Sequence, residues 1–451
     1  MPLNVKKAIP IILFFFSIVI LGYYTSREET LQVLLLFMLM FGCYWALVKS
    51  NLSVKWIIFS GIILRLAQLL MLPNLSDDYF RFIWDGQLIL NDINPFYRLP
   101  SYYMELTERP TGLTQYLYNN LNSPDYYTVY PPICQFTFWI AALIGKQSIL
   151  LNVVIMRVFI ILAEIGTLFI IPQILKKLKI DTSKLKWYAY NPLVIVELTG
   201  NLHYEGLMIF FISLAIYLIL NHKTILSALV FSCAISTKLL PLMFLPILFS
   251  YLGWRKTLIF YFFTAVGIFT LFIWFIDFDM IQNMGESVNL YFKRFEFNAS
   301  IYYIVRWIGF QVKGYNIIGT AGVRLTFVPI ILISLLSIFK SNDLQLVIIK
   351  MLFAMSVYFF TATIIHPWYI TTLVFLALFT DFKYTLFWSG LSLLSYATYR
   401  DTSYEEVTLF LFIEYTIVYT ALFYELYKHK PLKDFFSGLT ETVLKKITAN
   451  K

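Results

Sequence analysis

The chain is a succession of apolar runs separated by short polar loops, and this constrains its fold more than any motif. Runs fall near residues 8–24, 31–48, 54–72, 149–171, 187–200, 204–221, 224–237, 239–252, 257–278, 316–339, 344–364, 367–380, 383–398 and 406–427. A membrane-crossing helix needs roughly 20 apolar residues, and several runs approach that length. Others hold only about 14 residues, or about 21 Å at 1.5 Å per residue. Short or broken spans are tolerated where they border a protein-lined cavity. Only 14% of the residues are charged against 59% hydrophobic, where soluble domains carry about 25% charged. The reading is an all-α polytopic membrane protein of about 12–14 transmembrane helices, one integral membrane domain over residues 1–451.

Loop charge gives the orientation. Lys6 and Lys7 precede the first run, Lys49 and Lys55 bracket the loop after the second, and KKLKIDTSKLK follows residue 171. The loop SREET between the first two runs is net acidic. By the positive-inside rule both termini are expected in the cytoplasm, including the basic tail from KHKPLKD onward. Residues 73–148 and 279–315 then form two long extracytoplasmic segments. ICQFTFWIAALIG, within the first, is too short for a comfortable span and is expected to lie along the outer interface. The N-terminal run lacks a small-residue cleavage site and reads as a retained span or signal anchor. The net charge of +9 follows from these loops, so no nucleic-acid partner is expected. Cys43, Cys134 and Cys233 have neither disulfide nor zinc spacing.

This topology gathers the chemistry-bearing residues on the outer face. The first long segment opens with SDDYFRFIWDGQLILNDINPFYR, residues 76–98. Ser76 is placed to cap a helix with Asp77 and Asp78 in its first turn, where the dipole favours anions. On that helix Asp77, Arg81 and Asp85 would stack at i, i+4 and i+8, beside Trp84. Tyr130 follows in TVYPP, His203 and Glu205 in NLHYEG, Lys238 in STKLLP, Asn298 in FEFNAS, and His366, Trp368 and Tyr369 in IIHPWYI. Each has an ordinary reading as a cap, a snorkelling lysine or an interfacial aromatic. Their convergence from separate loops argues for a shared site. Arg157 and Glu164, seven apart within a run, are spaced to share a helix face, as a functional or a structural pair.

The ordered set SDD-YFRFIWDG…INPF, TVYPP, NP…NLHYEGLM, TKLLPLMFLP and HPWY resembles the GT-C glycosyltransferases. Within them it is similar to bacterial mannosyltransferases that use a polyprenyl-phosphate sugar, and more distantly to GPI mannosyltransferases. The resemblance runs from about residue 54 to 380. It departs at Tyr204-Glu205, where a His-Asn-Asp-like triplet is expected, and by two preceding spans. It implies a GT-C-type bundle in a bacterial inner membrane and inverting transfer of a hexose, mannose by analogy. The donor would be a lipid-linked sugar phosphate and the acceptor the hydroxyl of a glycan, lipid or protein. Asp77 or Asp78 would be the general base. Lys238, with Arg81 and His366, would meet the donor phosphate, although Arg81 has the alternative of holding Asp77 and Asp85. Trp84, Tyr130 and Trp368 would offer flat faces to sugar or lipid, with Asp85, His203, Glu205, Asn298 and Tyr369 completing the substrate site. The resemblance names no certain cofactor beyond that lipid-linked donor. A divalent metal is open but not favoured, because two adjacent carboxylates beside an arginine make a poor cage. Two other classes remain: a lipid-sugar transporter or flippase, which would show midplane charges and repeated halves, and an O-antigen ligase or polymerase.

Overall fold

The computed structural model describes residues 5–428; the segment KHKPLKD beyond Lys428 and the basic tail lie outside the described residues. Helices are the only regular elements of the described chain apart from one isolated bridge between Phe297 and Ile364. Seven helical stretches are long and apolar enough to cross a membrane: Lys7–Tyr24, Thr30–Lys49, Ile149–Lys177, Leu240–Phe272, Ile318–Ile338, Leu344–Thr361 and Thr408–Lys428. A bent pair, Val194–Gly200 with Glu205–Leu220, adds an eighth. Shorter apolar helices are Pro132–Gly145, Thr224–Ile235 and Pro367–Ala377, and the runs near 54–72 and 383–398 form the helices Val54–Leu66, Tyr384–Leu391 and Ser392–Arg400. The protein is therefore an all-α polytopic membrane protein.

Two breaks in these helices have clear causes. At Gly253 the backbone takes φ 71 and ψ 165, a conformation that costs glycine little because it has no Cβ. The Tyr261 hydroxyl then reaches the Leu245 carbonyl at 2.7 Å. Sixteen residues of straight helix would put about 24 Å between them, so Leu240–Phe272 is two helices and the chain doubles back between them, as the two separate runs in the sequence imply. The second break is the 111° bend between Val194–Gly200 and Glu205–Leu220. It frees backbone carbonyls within an apolar setting, where each unpaired group is costly. Arg157 answers this: its guanidinium donates to the Thr199 carbonyl at 2.8 Å and the Gly200 carbonyl at 2.9 Å, and also to Leu69 and Met71.

Arg157 and Glu164 do not pair, contrary to one expectation from their spacing. Glu164 instead meets Arg65 at 2.8 Å, both side chains fully buried, and accepts from the Tyr188 hydroxyl at 2.5 Å. The two intramembrane arginines thus have separate structural duties. One ties three helices together and the other caps a broken one.

The loops sort into two opposite groups. At one, Lys186 donates to the Ser50 carbonyl at 2.7 Å, Lys184 to the Thr380 carbonyl at 2.6 Å, and Lys7 to the Asn51 carbonyl at 2.8 Å. This group brings together the basic loops around residues 49–55, 176–186 and 380–383. The other collects the segments 25–29, 76–85, 122–135, 197–205, 236–238, 295–298, 363–369 and 396–399. The two long polar segments, 73–148 and 279–315, are themselves helical for much of their length, with Asp78–Leu90, Pro132–Gly145, Phe278–Lys293 and Ile301–Lys313 as their main elements.

Candidate active site

The helix Asp78–Leu90 starts one residue later than Ser76 capping would require. Ser76 Oγ accepts from the Asp78 amide at 3.4 Å, and Asp77 occupies the cap position without capping through its side chain. Asp77 is therefore free of the helix, and its carboxylate pairs with Arg27 from the loop between the first two helices. The expected column Asp77–Arg81–Asp85 forms only in its lower half, where Arg81 Nε meets Asp85 Oδ1 at 2.8 Å.

That lower half is a buried anchor. Arg81, 3% exposed, also donates to the Ser123 and Tyr126 carbonyls at 3.1 and 2.8 Å. Asp85 accepts from Thr128 Oγ1 at 2.5 Å and Gln135 Nε2 at 3.0 Å. The sequence left two uses open for Arg81, and the geometry has it holding Asp85 and the loop 123–131. Gly86 permits this packing, because a Cβ there would lie 2.3 Å from the Phe138 carbonyl oxygen. Trp84 is fully buried between Tyr103 and Tyr118. Its faces form the core of the first long segment and are not open to a sugar.

Asp78 faces the other way. Its Oδ1 accepts from Asn122 Nδ2 at 2.7 Å and its Oδ2 from the Tyr130 hydroxyl at 3.3 Å. The Tyr130 ring lies beneath the Lys238 ammonium, 5.4 Å from its centroid, within the range of a cation–π contact. Lys238 meets Glu205 Oε1 at 3.2 Å. Glu205 is buried in the first turn of Glu205–Leu220, the favourable end of a helix for an anion. Burial works against the charged form of Lys238, but the Glu205 carboxylate, with Cys134 and Asp78 adding to it, outweighs that and raises its pKa.

Beside this lies a stack of four rings. His203 and Trp368 are parallel at 3.7 Å, Trp368 and His366 at 4.3 Å, and His366 meets Phe297 at 5.0 Å. Both faces of Trp368 are thus covered by imidazoles, so it does not present the flat platform expected of it. Tyr369 sets its edge against His366 and stacks on Phe359. His203 Nε2 lies 3.4 Å from Glu197 Oε2, and Glu197 accepts from Asn201 Nδ2 at 3.0 Å and from the Tyr396 hydroxyl at 2.5 Å. Nδ1 of His366 is enclosed and makes no hydrogen bond. Burial pushes His366 down to about 4; Asp78 opposes the shift, and His203 and Lys238 add to it.

The structure therefore brings Asp78, Tyr130, His203, Glu205, Lys238, His366 and Trp368 into one cluster, close enough for their charges to act on one another. Asp77 sits at its edge, turned to Arg27. Asn298 lies apart: its amide nitrogen donates to Glu406 Oε1 at 2.5 Å and its Nδ2 to Glu414 Oε1 at 3.2 Å. It holds the chain at φ 46, next to the bridge where Phe297 N meets the Thr363 carbonyl at 3.0 Å and Ile365 N the Phe297 carbonyl at 2.8 Å. Its part is to seat Phe297 against His366. Among the described residues no three His, Cys, Asp or Glu side chains converge as a metal-ligand group.

Sequence reasoning missed Arg27, Asn122, Tyr396 and Tyr399. Arg27 was visible only as one charge in SREET, and nothing local marks it as the partner of Asp77.

A family model described as alpha-(1->6)-mannopyranosyltransferase, N-terminal domain, of the MptA/B family, matches residues 17–253, more than half of the chain. A search of curated proteins finds no match. The matched region holds Arg27, Asp77, Asp78, Tyr130, His203, Glu205 and Lys238; His366 and Trp368 lie beyond it.

Proposed function

The chain belongs to the MptA/B family of alpha-(1->6)-mannopyranosyltransferases, and on that premise we propose that it moves mannose from a polyprenyl-phosphate donor to an acceptor hydroxyl with inversion. The observation that carries this reading is the line Asp78–Tyr130–Lys238. A carboxylate with no ion pair among the described residues accepts from a tyrosine's hydroxyl, and a cation lies over the same ring.

Asp78 takes the proton of the acceptor hydroxyl as its oxygen attacks the anomeric carbon. The bond from that carbon to the phosphate oxygen breaks, and the lipid phosphate leaves with the electron pair. Negative charge grows on that phosphate, and Lys238 lies where a fixed cation would stabilise it. Glu205 keeps Lys238 charged and aimed. A neutral His366 serves as a packed wall of the site, between Trp368 and Phe297. The cluster faces the extracytoplasmic side of a bacterial inner membrane, with the basic loops in the cytoplasm. The acceptor is a glycan, lipid or protein hydroxyl.

The test is a transfer assay with purified protein, radiolabelled polyprenyl-phosphate mannose and an envelope fraction as acceptor. Label appearing on the acceptor supports the reading. Donor binding without transfer, with movement of the donor between liposome leaflets, would replace it with a flippase.

A further inference from the structure

Arg27 stands at the tip of the first helical hairpin, between Val5–Tyr24 and Thr30–Lys49, fifty residues before the acidic stretch. Its guanidinium is fixed from three sides. Nη1 pairs with Asp77, Nε lies 3.4 Å from Glu28 Oε1, and the group rests 5.2 Å from the centroid of the Tyr399 ring. Tyr399 belongs to the segment Ser392–Arg400, whose Tyr396 binds Glu197 and so reaches the His203 side of the cluster. The neighbouring cations are committed elsewhere, Arg81 to Asp85 and Lys238 to Glu205. Asp77 forms no other ion pair among the described residues.

We infer that Arg27 is a positioning residue of the site: it holds and neutralises Asp77, leaving the adjacent Asp78 as the single base. This rests on the transferase reading above. Two neighbouring carboxylates without a cation disfavour each other's ionisation, and the pair retains a proton to higher pH. Arg27 places a counter-charge on Asp77, beside Asp78. Asp78 turns instead to the neutral donors Asn122 and Tyr130, which orient a carboxylate without consuming its charge. The charged and titratable groups facing the two aspartates include Arg27 and Glu28 from the hairpin, Tyr79 from their own helix, Tyr396 and Tyr399 from the segment Ser392–Arg400, and Tyr130, Lys238 and His366 from the site.

The test compares kcat/KM across pH 5.5–9 for full-length wild type, Arg27→Ala, Arg27→Lys, Asp77→Asn and the double variant Arg27→Ala/Asp77→Asn. Arg27→Ala is expected to lose most at the acid end of the range and to recover toward pH 8.5, its acid limb displaced upward; the loss reaches about tenfold per unit of displacement only below both limbs. Arg27→Lys is expected to stay near wild type. The double variant is expected to regain the wild-type acid limb, because Asp77 no longer needs a counter-charge. A hairpin that merely braces the fold would lose activity equally at every pH and would not be rescued by Asp77→Asn. Either an unchanged profile in Arg27→Ala or a loss that Asp77→Asn fails to relieve overturns the inference. Should Arg27→Ala not fold, Arg27→Gln with and without Asp77→Asn decides by the same comparison. Wild type that transfers nothing at any pH removes the transferase reading itself, and this inference with it.

Discussion

Lys238 lies 3.2 Å from Glu205, an ammonium at the end of one helical segment set against a carboxylate at the start of another. Glu205 is fully buried and Lys238 is 22% exposed, so the lysine keeps an open side for a ligand while the glutamate has no other side-chain partner among the described residues. Lys238→Ala should therefore do two things. Its kcat falls by about 10²- to 10³-fold, the range expected on removing one fixed group that stabilises developing negative charge. The unfolding temperature also falls, because Glu205 is left buried and unpaired. Lys238→Met with Glu205→Met should regain the stability but not the activity. Donor titration and thermal unfolding of the purified variants separate the two effects.

The ion pair between Arg65 and Glu164 is a structural contact away from the site. Removing one partner of a fully buried pair costs about 3–5 kcal/mol. Glu164→Leu or Arg65→Leu alone should lower the apparent unfolding temperature in detergent by many degrees and reduce the yield of folded protein. Replacing both with leucine should recover most of that loss. Transfer per folded molecule should be unchanged throughout.

His366 gives the pH dependence a sign. Its imidazole ordinarily titrates near 6.5, and burial holds it down to about 4 in the folded protein. Between those values the unfolded chain binds a proton that the folded chain does not. The stability due to a neutral His366 is thus fully present above about pH 6.5 and is lost as pH falls toward 4. The apparent unfolding temperature should decline over that window, and the decline should be shallower in His366→Phe. No step in activity between pH 6 and 8 should vanish in that variant.

The fold was legible because apolar runs and loop charge report span ends directly. The fold at Gly253 and the short helix Pro132–Gly145 appeared in the structure where those patterns put them. The site was legible as a collection and not as a set of pairs. Asp77 and Arg81 looked like partners because they are four apart, yet the helix begins only at Asp78, so that spacing carried no contact. The partner Asp77 does find is fifty residues away in a loop with no distinguishing composition. Trp368 read as an open platform because stacking on its two faces comes from His203 and His366, one of them from another part of the chain. Trp84 and Asn298 were chosen for residue type in polar segments. One is buried between tyrosines, and the other is held by glutamates of the last helical region. Burial and long-range pairing leave no local trace in one sequence.

The most direct measurement sets Asp78→Asn beside Asp77→Asn in the mannose-transfer assay, with donor binding followed in parallel. The account predicts that Asp78→Asn binds donor normally and loses about 10²- to 10⁴-fold in kcat, the usual contribution of a general base, while Asp77→Asn keeps most of its activity. Transfer at the wild-type rate by Asp78→Asn, or its abolition by Asp77→Asn alone, would contradict it.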